Sequence, residues 1–85
     1  MGNQIYANVP ETVGGAVQKG VSPLKAWREY KELSMEEMAL RLEVSTSVYE
    51  QAEDAKTLGQ ITLKKAAIAL GISLEQIQPL YENSN

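Results

Sequence analysis

Recurring helix-start signals are the feature that most constrains the fold of this chain. Five positions carry a hydroxyl residue immediately before a stretch of apolar residues at helical spacing: Ser22, Ser34, Ser45, Thr62 and Ser73. A hydroxyl oxygen at such a position accepts a hydrogen bond from an amide of the first helical turn. Ser34 and Ser73 are followed three residues later by Glu37 and Gln76, which is the spacing of a capping box. The sequence therefore predicts an all-α fold, a compact bundle of five or six short helices.

The chain is expected to divide into three parts. Residues 1–21 form an N-terminal arm and a short helix, residues 22–82 form the main helical domain, and residues 83–85 form a frayed tail. Alternating apolar residues between positions 4 and 9 indicate a short N-terminal arm or strand. Gly20 closes the first helix and Gly71 closes the helix that Thr62 opens.

Two helix limits follow from the same signals. The helix that begins at Pro23 should run to about Leu33. The last helix should extend from Leu74 to about Tyr81, with Pro79 distorting or ending it. Leu63, Ala66, Ala67 and Leu70 share the buried face of the helix between them.

Composition excludes most catalytic chemistry. The 85 residues contain no His and no Cys, which removes imidazole bases, thiolate nucleophiles and the usual zinc ligands. Glu36 and Glu37 are adjacent on a helix and do not face each other, so they cannot form an acid/base pair. We therefore expect a protein that is not an enzyme, with no cofactor, no metal and no membrane segment, in the cytoplasm. The formal charge of −3 argues against a non-specific polyanion binder.

The helices that follow Ser34 and Ser45 lie very close together in the sequence. Only Glu43 and Val44 separate the end of one from the cap of the next. Two short helices joined by a sharp turn are what a DNA-binding helix-turn-helix requires, with the second helix entering the major groove. Any compact helical bundle can also contain such a pair.

Residues 22–78 resemble the Cro/cI (Xre-type) helix-turn-helix family. The resemblance is carried by the stretch SPLKAWREYKELSMEEMALRLEVSTSVYEQAEDAKTLGQITLKKAAIALGISLEQIQ. It covers about two-thirds of the chain and implies a transcriptional regulator that binds double-stranded DNA as a homodimer. The preceding segment, VPETVGGAVQKG, is similar to the lead-in of small regulators of this family, many of which are antitoxins.

The resemblance implies a set of DNA-binding residues on and after the second helix of the pair: Ser45, Thr46, Ser47, Glu50, Gln51, Lys56 and Thr57. Gln51 can bond the N6 and N7 atoms of adenine together, and Ser or Thr can bond several base edges. Thr46 and Ser47 are equally compatible with an ordinary first helical turn. Lys56 and Thr57 are phosphate-contact candidates, or else members of a solvated loop.

The same resemblance implies a structural ion pair between Arg28 and Glu53, which would tie the helix before the motif to the end of the recognition helix. Such a pair adds little net stability, but removal of one partner leaves an uncompensated charge at a cost of about 3 to 5 kcal/mol. Trp27 is expected to lie in or beside the core and not to stack on nucleic acid.

Several residues depart from the family pattern. Met35 stands where a phosphate-binding Gln is usual. Glu43 replaces a turn Gly, which requires either a left-handed residue at a cost of about 1 kcal/mol or a different turn. Residues 34–43 and 45–56 each carry a local charge of −2.

These departures support an alternative function, a protein-interaction module that binds a partner such as a toxin. Leu40, Val48 and Ile68 are apolar at positions expected to face outward, and they would mark a partner surface if they adjoin. Association between copies is expected to involve the N-terminal arm; the alternatives are that the arm folds back on its own helices or that the last helix forms the interface.

Overall fold

All of the regular structure described for this chain is helical. The computed structural model describes residues 8–82, and within this range there is no β-strand. The elements are, in order, α1 Glu11–Gln18, α2 Pro23–Tyr30, α3 Met35–Leu42, α4 Thr46–Asp54, α5 Gln60–Leu70, a 3₁₀ turn Leu74–Gln76, and α6 Gln78–Glu82. The predicted all-α bundle is confirmed. The tail at 83–85 and most of the predicted arm, residues 1–7, lie outside the described residues.

Three of the predicted serine caps form through the serine hydroxyl. Ser22, Ser34 and Ser45 accept hydrogen bonds from the amides of residues 25, 37 and 48, at 3.2, 3.0 and 3.1 Å. Ahead of the 3₁₀ turn, the Ser73 amide donates to the side-chain oxygen of Gln76 at 2.9 Å.

The predicted start of α5 at Thr62 is wrong. The helix begins at Gln60, and Gly59 is its N-cap. Gly59 adopts the extended conformation that a residue before a helix needs, and its carbonyl accepts the Leu63 amide at 2.9 Å. Thr62 consequently lies inside the first turn.

Four helices end in the same way, with one residue in the left-handed region. The φ angles of these residues are 104°, 59°, 60° and 74° at Gly20, Glu32, Glu43 and Gly71. In each case the next amide bonds back to the carbonyl five residues earlier, at 3.0 to 3.1 Å, which defines a Schellman motif. The left-handed alternative predicted for Glu43 is therefore the one adopted.

The predicted end of α2 at Leu33 is wrong because one of these left-handed residues lies before it. The helix stops at Tyr30 because Glu32 is left-handed and the Leu33 amide bonds to the Arg28 carbonyl at 3.1 Å. The reversal turns Leu33 back towards the core, against which it packs.

The predicted last helix, from Leu74 to Tyr81, is also wrong in detail. It is divided at Ile77 into the 3₁₀ turn and α6. Pro79 lies in the first turn of α6, where its missing amide hydrogen removes no helical bond, so it starts a helix and does not end one. The interruption allows both Ile77 and Leu80 to be fully buried.

One core connects all of these elements. The largest fully buried side chains are those of Trp27, Tyr49, Leu24, Met38, Ile77, Leu80 and Val13. Trp27 is a core residue, as predicted, and its indole Nε1 donates to the Gln76 carbonyl at 3.0 Å. The Leu24 amide donates to the Tyr81 hydroxyl at 3.3 Å. The predicted inner face of α5 is buried. Among residues 8–82, no helix combines the length and apolar composition that crossing a membrane requires.

Candidate nucleic-acid interface

Helices α3 and α4 pack against each other across a three-residue turn. Glu43 takes the left-handed conformation, and the Val44 amide bonds to the Ala39 carbonyl at 3.0 Å. Ser45 is extended and caps α4. The structure therefore contains a helix, a sharp turn and a second helix in the order that the spacing predicts.

The inner face of α4 is fixed by a buried polar cluster of Tyr49, Glu53 and Arg28. The Tyr49 hydroxyl donates to Glu53 Oε2 at 2.6 Å. Arg28 donates to the same carboxylate through Nε, and through Nη2 at 3.4 Å to Oε1. Its Nη1 donates to the Leu33 carbonyl at 2.8 Å. The ion pair implied between Arg28 and Glu53 is thus present, and it holds α4 against α2 and the turn after α2.

The protonation states of this cluster follow from its contacts. The hydrogen bond with Glu53 raises the pKa of Arg28 above its usual value. Burial, and then the hydrogen bond with Glu53, raise the pKa of Tyr49 far above its usual value. The Tyr49 hydroxyl therefore remains protonated, and so remains a donor to Glu53, to a higher pH than an exposed tyrosine would.

The outer face of α4 carries most of the candidate DNA-binding residues. Ser47, Glu50 and Gln51 are exposed, whereas Thr46 is half-buried. Ser47 and Gln51 are one helical turn apart and share a face. Thr46 lies on the side of the helix nearer the core, so the structure brings Ser47 and Gln51 together but not Thr46 with them.

The remaining candidates lie at the two ends of α4. The Ser45 hydroxyl accepts the Val48 amide at 3.1 Å, so the capping role of Ser45 is realised. Lys56 and Thr57 are exposed in the loop that follows Asp54, and Leu58 anchors this loop by packing against the core.

The ion pair between Arg28 and Glu53 makes the exposed charge of α4 less negative than the sum of its charged residues. Glu53 is neutralised by Arg28, so residues 45–56 present Glu50 and Asp54 against Lys56, a net −1. On α3, Glu37 accepts from Arg41 Nε at 3.3 Å, and Glu36 is exposed. The candidate interface is acidic, but by one charge fewer on α4 than the sequence indicates.

Two residues of α3 have structural positions that bear on DNA contact. Met35 is half-buried against the core. Sequence reasoning missed the contact of Arg41 Nη1, which donates to the Ala69 carbonyl at 2.8 Å and so binds α3 to the last turn of α5. No local pattern could have shown this contact, because the partners are 28 residues apart.

The three apolar residues predicted to face outward do so, on three different helices. Leu40 is 74% exposed, Val48 50% and Ile68 79%. Ile61, on the same face of α5 as Ile68, is exposed as well, and the sequence reasoning missed it. Within residues 8–82, no group of three or more Asp, Glu, His or Cys side chains is placed to hold a metal ion.

Comparison of the chain with protein-family models, with curated proteins and with solved structures found no match.

Proposed function

We propose that this chain is a sequence-specific DNA-binding regulator of the Cro/cI helix-turn-helix type, of the repressor or antitoxin kind. The observation that carries the proposal is that one face of α4 is buried and hydrogen-bonded while the other is polar and exposed. On the inner face the Glu53 carboxylate accepts from both Tyr49 and Arg28, while Ser47 and Gln51 on the outer face are exposed. A helix held rigidly by one face and polar on the other is suited to entering a major groove, which admits an α-helix.

Gln51 has the best chemistry for base recognition. Its amide can donate to N7 and accept from N6 of one adenine, a bidentate contact that distinguishes A·T from the other base pairs. Ser47, one turn earlier on the same face, can bond several base edges. Such a pair specifies part of a half-site.

Electrostatics favour a homodimer. Lys56 and the first-turn amides of α4 are the main groups on this face that attract phosphate, and Glu50 and Asp54 oppose them. A single copy therefore makes few phosphate contacts, and its affinity should be low at physiological salt. Two copies on a two-fold operator combine two half-sites, which restores affinity without a more basic surface.

Selection of DNA duplexes from a random library by the purified chain tests the proposal. The DNA upstream of its own coding sequence should be included as a separate probe. We expect an enriched two-fold sequence and fluorescence-anisotropy binding that weakens as salt rises. The absence of any enriched duplex, together with no binding at low salt, would contradict the proposal.

The Gln51→Ala variant sharpens this test. Gln51 is exposed and makes no contribution to the core, so the fold should persist, while binding to the selected duplex should weaken by about 1 to 3 kcal/mol. Gln18→Ala is the matched control, because Gln18 is an exposed glutamine on α1. Unchanged discrimination between selected and scrambled DNA in Gln51→Ala would move base recognition to other residues.

A second candidate function is binding of a protein partner, such as a toxin. It is favoured by the exposure of Leu40 on α3 and of Ile61 and Ile68 on α5. Co-purification from the native source distinguishes DNA binding from protein binding. A partner protein that co-purifies in stoichiometric amount, without bound DNA, supports the protein-interaction function. An antitoxin would bind both a protein partner and DNA.

A further inference from the structure

The outer face of α4 contains one apolar side chain among polar ones. Val48 is 50% exposed and lies three residues before Gln51, next to Ser47. Residues three and four apart on a helix are neighbours, so Val48 and Gln51 share the outward face. Tyr49 and Glu53, on the opposite side, are buried.

The fold does not require an apolar residue at this position. Val48 is the third residue of α4, where a capping box would place Glu or Gln, as Glu37 does in sequence after Ser34 and Gln76 after Ser73. A β-branched residue also has a lower helix propensity than either. Half of the surface of Val48 is exposed, so part of its apolar side chain is available for contact outside the chain.

We propose, resting on the DNA-binding function proposed above, that Val48 is a specificity-determining residue that contacts the C5-methyl group of a thymine. Thymine is the base that displays a methyl group in the major groove, and apolar side chains recognise it by contact. Val48 lies beside Ser47 and one helical turn before Gln51, the two residues proposed to read base edges, so its exposed part faces the same groove.

The geometry limits where this thymine lies. Side chains at i and i+3 have Cβ atoms about 5 to 6 Å apart, and successive bases are about 3.4 Å apart along a strand. Val48 therefore reaches a base pair one or two steps from the adenine that Gln51 contacts. The half-site contains a thymine within two base pairs of that adenine.

Replacement of thymine by deoxyuridine tests the inference, because it removes the methyl group alone. Each thymine of the selected duplex is replaced in turn, and binding of the full chain is measured by anisotropy. At one thymine position in each half-site, the replacement should weaken binding by about fourfold, the factor expected for one buried methyl group. The Val48→Ala variant should bind the unmodified duplex more weakly than wild type. Its binding should no longer respond to deoxyuridine at that one thymine position, and we call this response the uracil effect.

Two controls separate this contact from a general loss of binding. Val44→Ala removes an exposed valine from the turn before α4 and should keep the full uracil effect. Val48→Thr keeps the shape of the side chain and one methyl group, so it should retain part of the effect. Circular dichroism verifies that all three variants fold.

The outcomes also separate this inference from the function on which it rests. An enriched duplex in which no thymine is sensitive to uracil, or in which Val48→Ala keeps the same sensitivity as wild type, would overturn the role of Val48 and leave DNA binding standing. Failure to enrich any duplex would overturn both.

Discussion

Glutamate at the left-handed end of α3 should limit the stability of this protein. Glu43 has φ 60° and ψ 42°, a conformation that costs an L-residue about 1 to 2 kcal/mol. Glycine adopts this conformation without the strain. Because glycine loses more backbone entropy on folding, about 0.4 to 1 kcal/mol of the relieved strain energy is offset. We therefore expect Glu43→Gly to raise the free energy of unfolding by about 0.5 to 1 kcal/mol.

Urea unfolding followed by circular dichroism measures this gain. For a domain of this size the denaturant slope is about 1 kcal/mol per molar, so the midpoint should rise by about 0.5 to 1 M. The melting temperature should rise by several degrees, since 1 kcal/mol corresponds to about 4 to 8 °C.

The other helix ends supply matched controls. Glu32 has φ 59°, so Glu32→Gly should give a similar gain away from the α3–α4 turn. Gly71 has φ 74° and open space where a Cβ would lie, so Gly71→Ala should lose about 1 kcal/mol from backbone strain. Glu43→Ala removes the charge and keeps the strain, and should gain little. If Glu43→Ala gains as much as Glu43→Gly, or neither gains, the backbone argument is wrong.

Three further outcomes are expected. Arg28→Ala should lower the free energy of unfolding by about 3 to 5 kcal/mol in urea titrations, because Glu53 is left charged in the core, and adding Glu53→Gln should recover part of the loss. Lys56→Gln should weaken binding to selected and scrambled duplexes alike and reduce the slope of log affinity against log salt by about 1 in anisotropy titrations; a sequence-dependent effect would contradict a phosphate contact. Burial raises the pKa of Tyr81 to about 12, above the value of about 10 expected in the unfolded chain. Its stabilising effect is therefore complete below pH 10 and falls by about 1.4 kcal/mol per pH unit between pH 10 and 12. Urea titrations at pH 9 and 11 check this, and a loss just as steep in Tyr81→Phe would assign it to other groups.

The parts of the fold predicted from the sequence depend on residues within one helical turn. The hydroxyls of Ser22, Ser34 and Ser45 reach amides three residues away, so the local pattern is sufficient to place these caps. Gly20 and Gly71 end their helices as predicted, because glycine is the residue most suited to a left-handed end. Glu32 carries no such signal, so the sequence pattern extends α2 beyond its actual end at Tyr30.

The candidate site divides in the same way. Helical spacing alone puts Ser47 and Gln51 on one face, opposite Tyr49. The sequence did not predict that the Tyr49 hydroxyl joins the cluster or that Arg41 bonds to α5, because these contacts depend on how side chains meet after helices have packed. The smaller effective charge of α4 follows from the Arg28–Glu53 pair, which the family resemblance implies but local spacing alone does not.

Residues 76–81 link the last helix to α2 across a long sequence separation. The Gln76 carbonyl accepts the Trp27 indole from 49 residues away, and the Tyr81 hydroxyl accepts the Leu24 amide from 57 residues away. Ile77 and Leu80 fill the centre of the core between these bonds. A nascent chain that ends before Ile77 therefore lacks the last part of the core and the Tyr81 hydrogen bond to α2, even though α3 and α4 are already complete. The helix-turn-helix should therefore become fully rigid only after residues 76–81 have been synthesised and have left the ribosome.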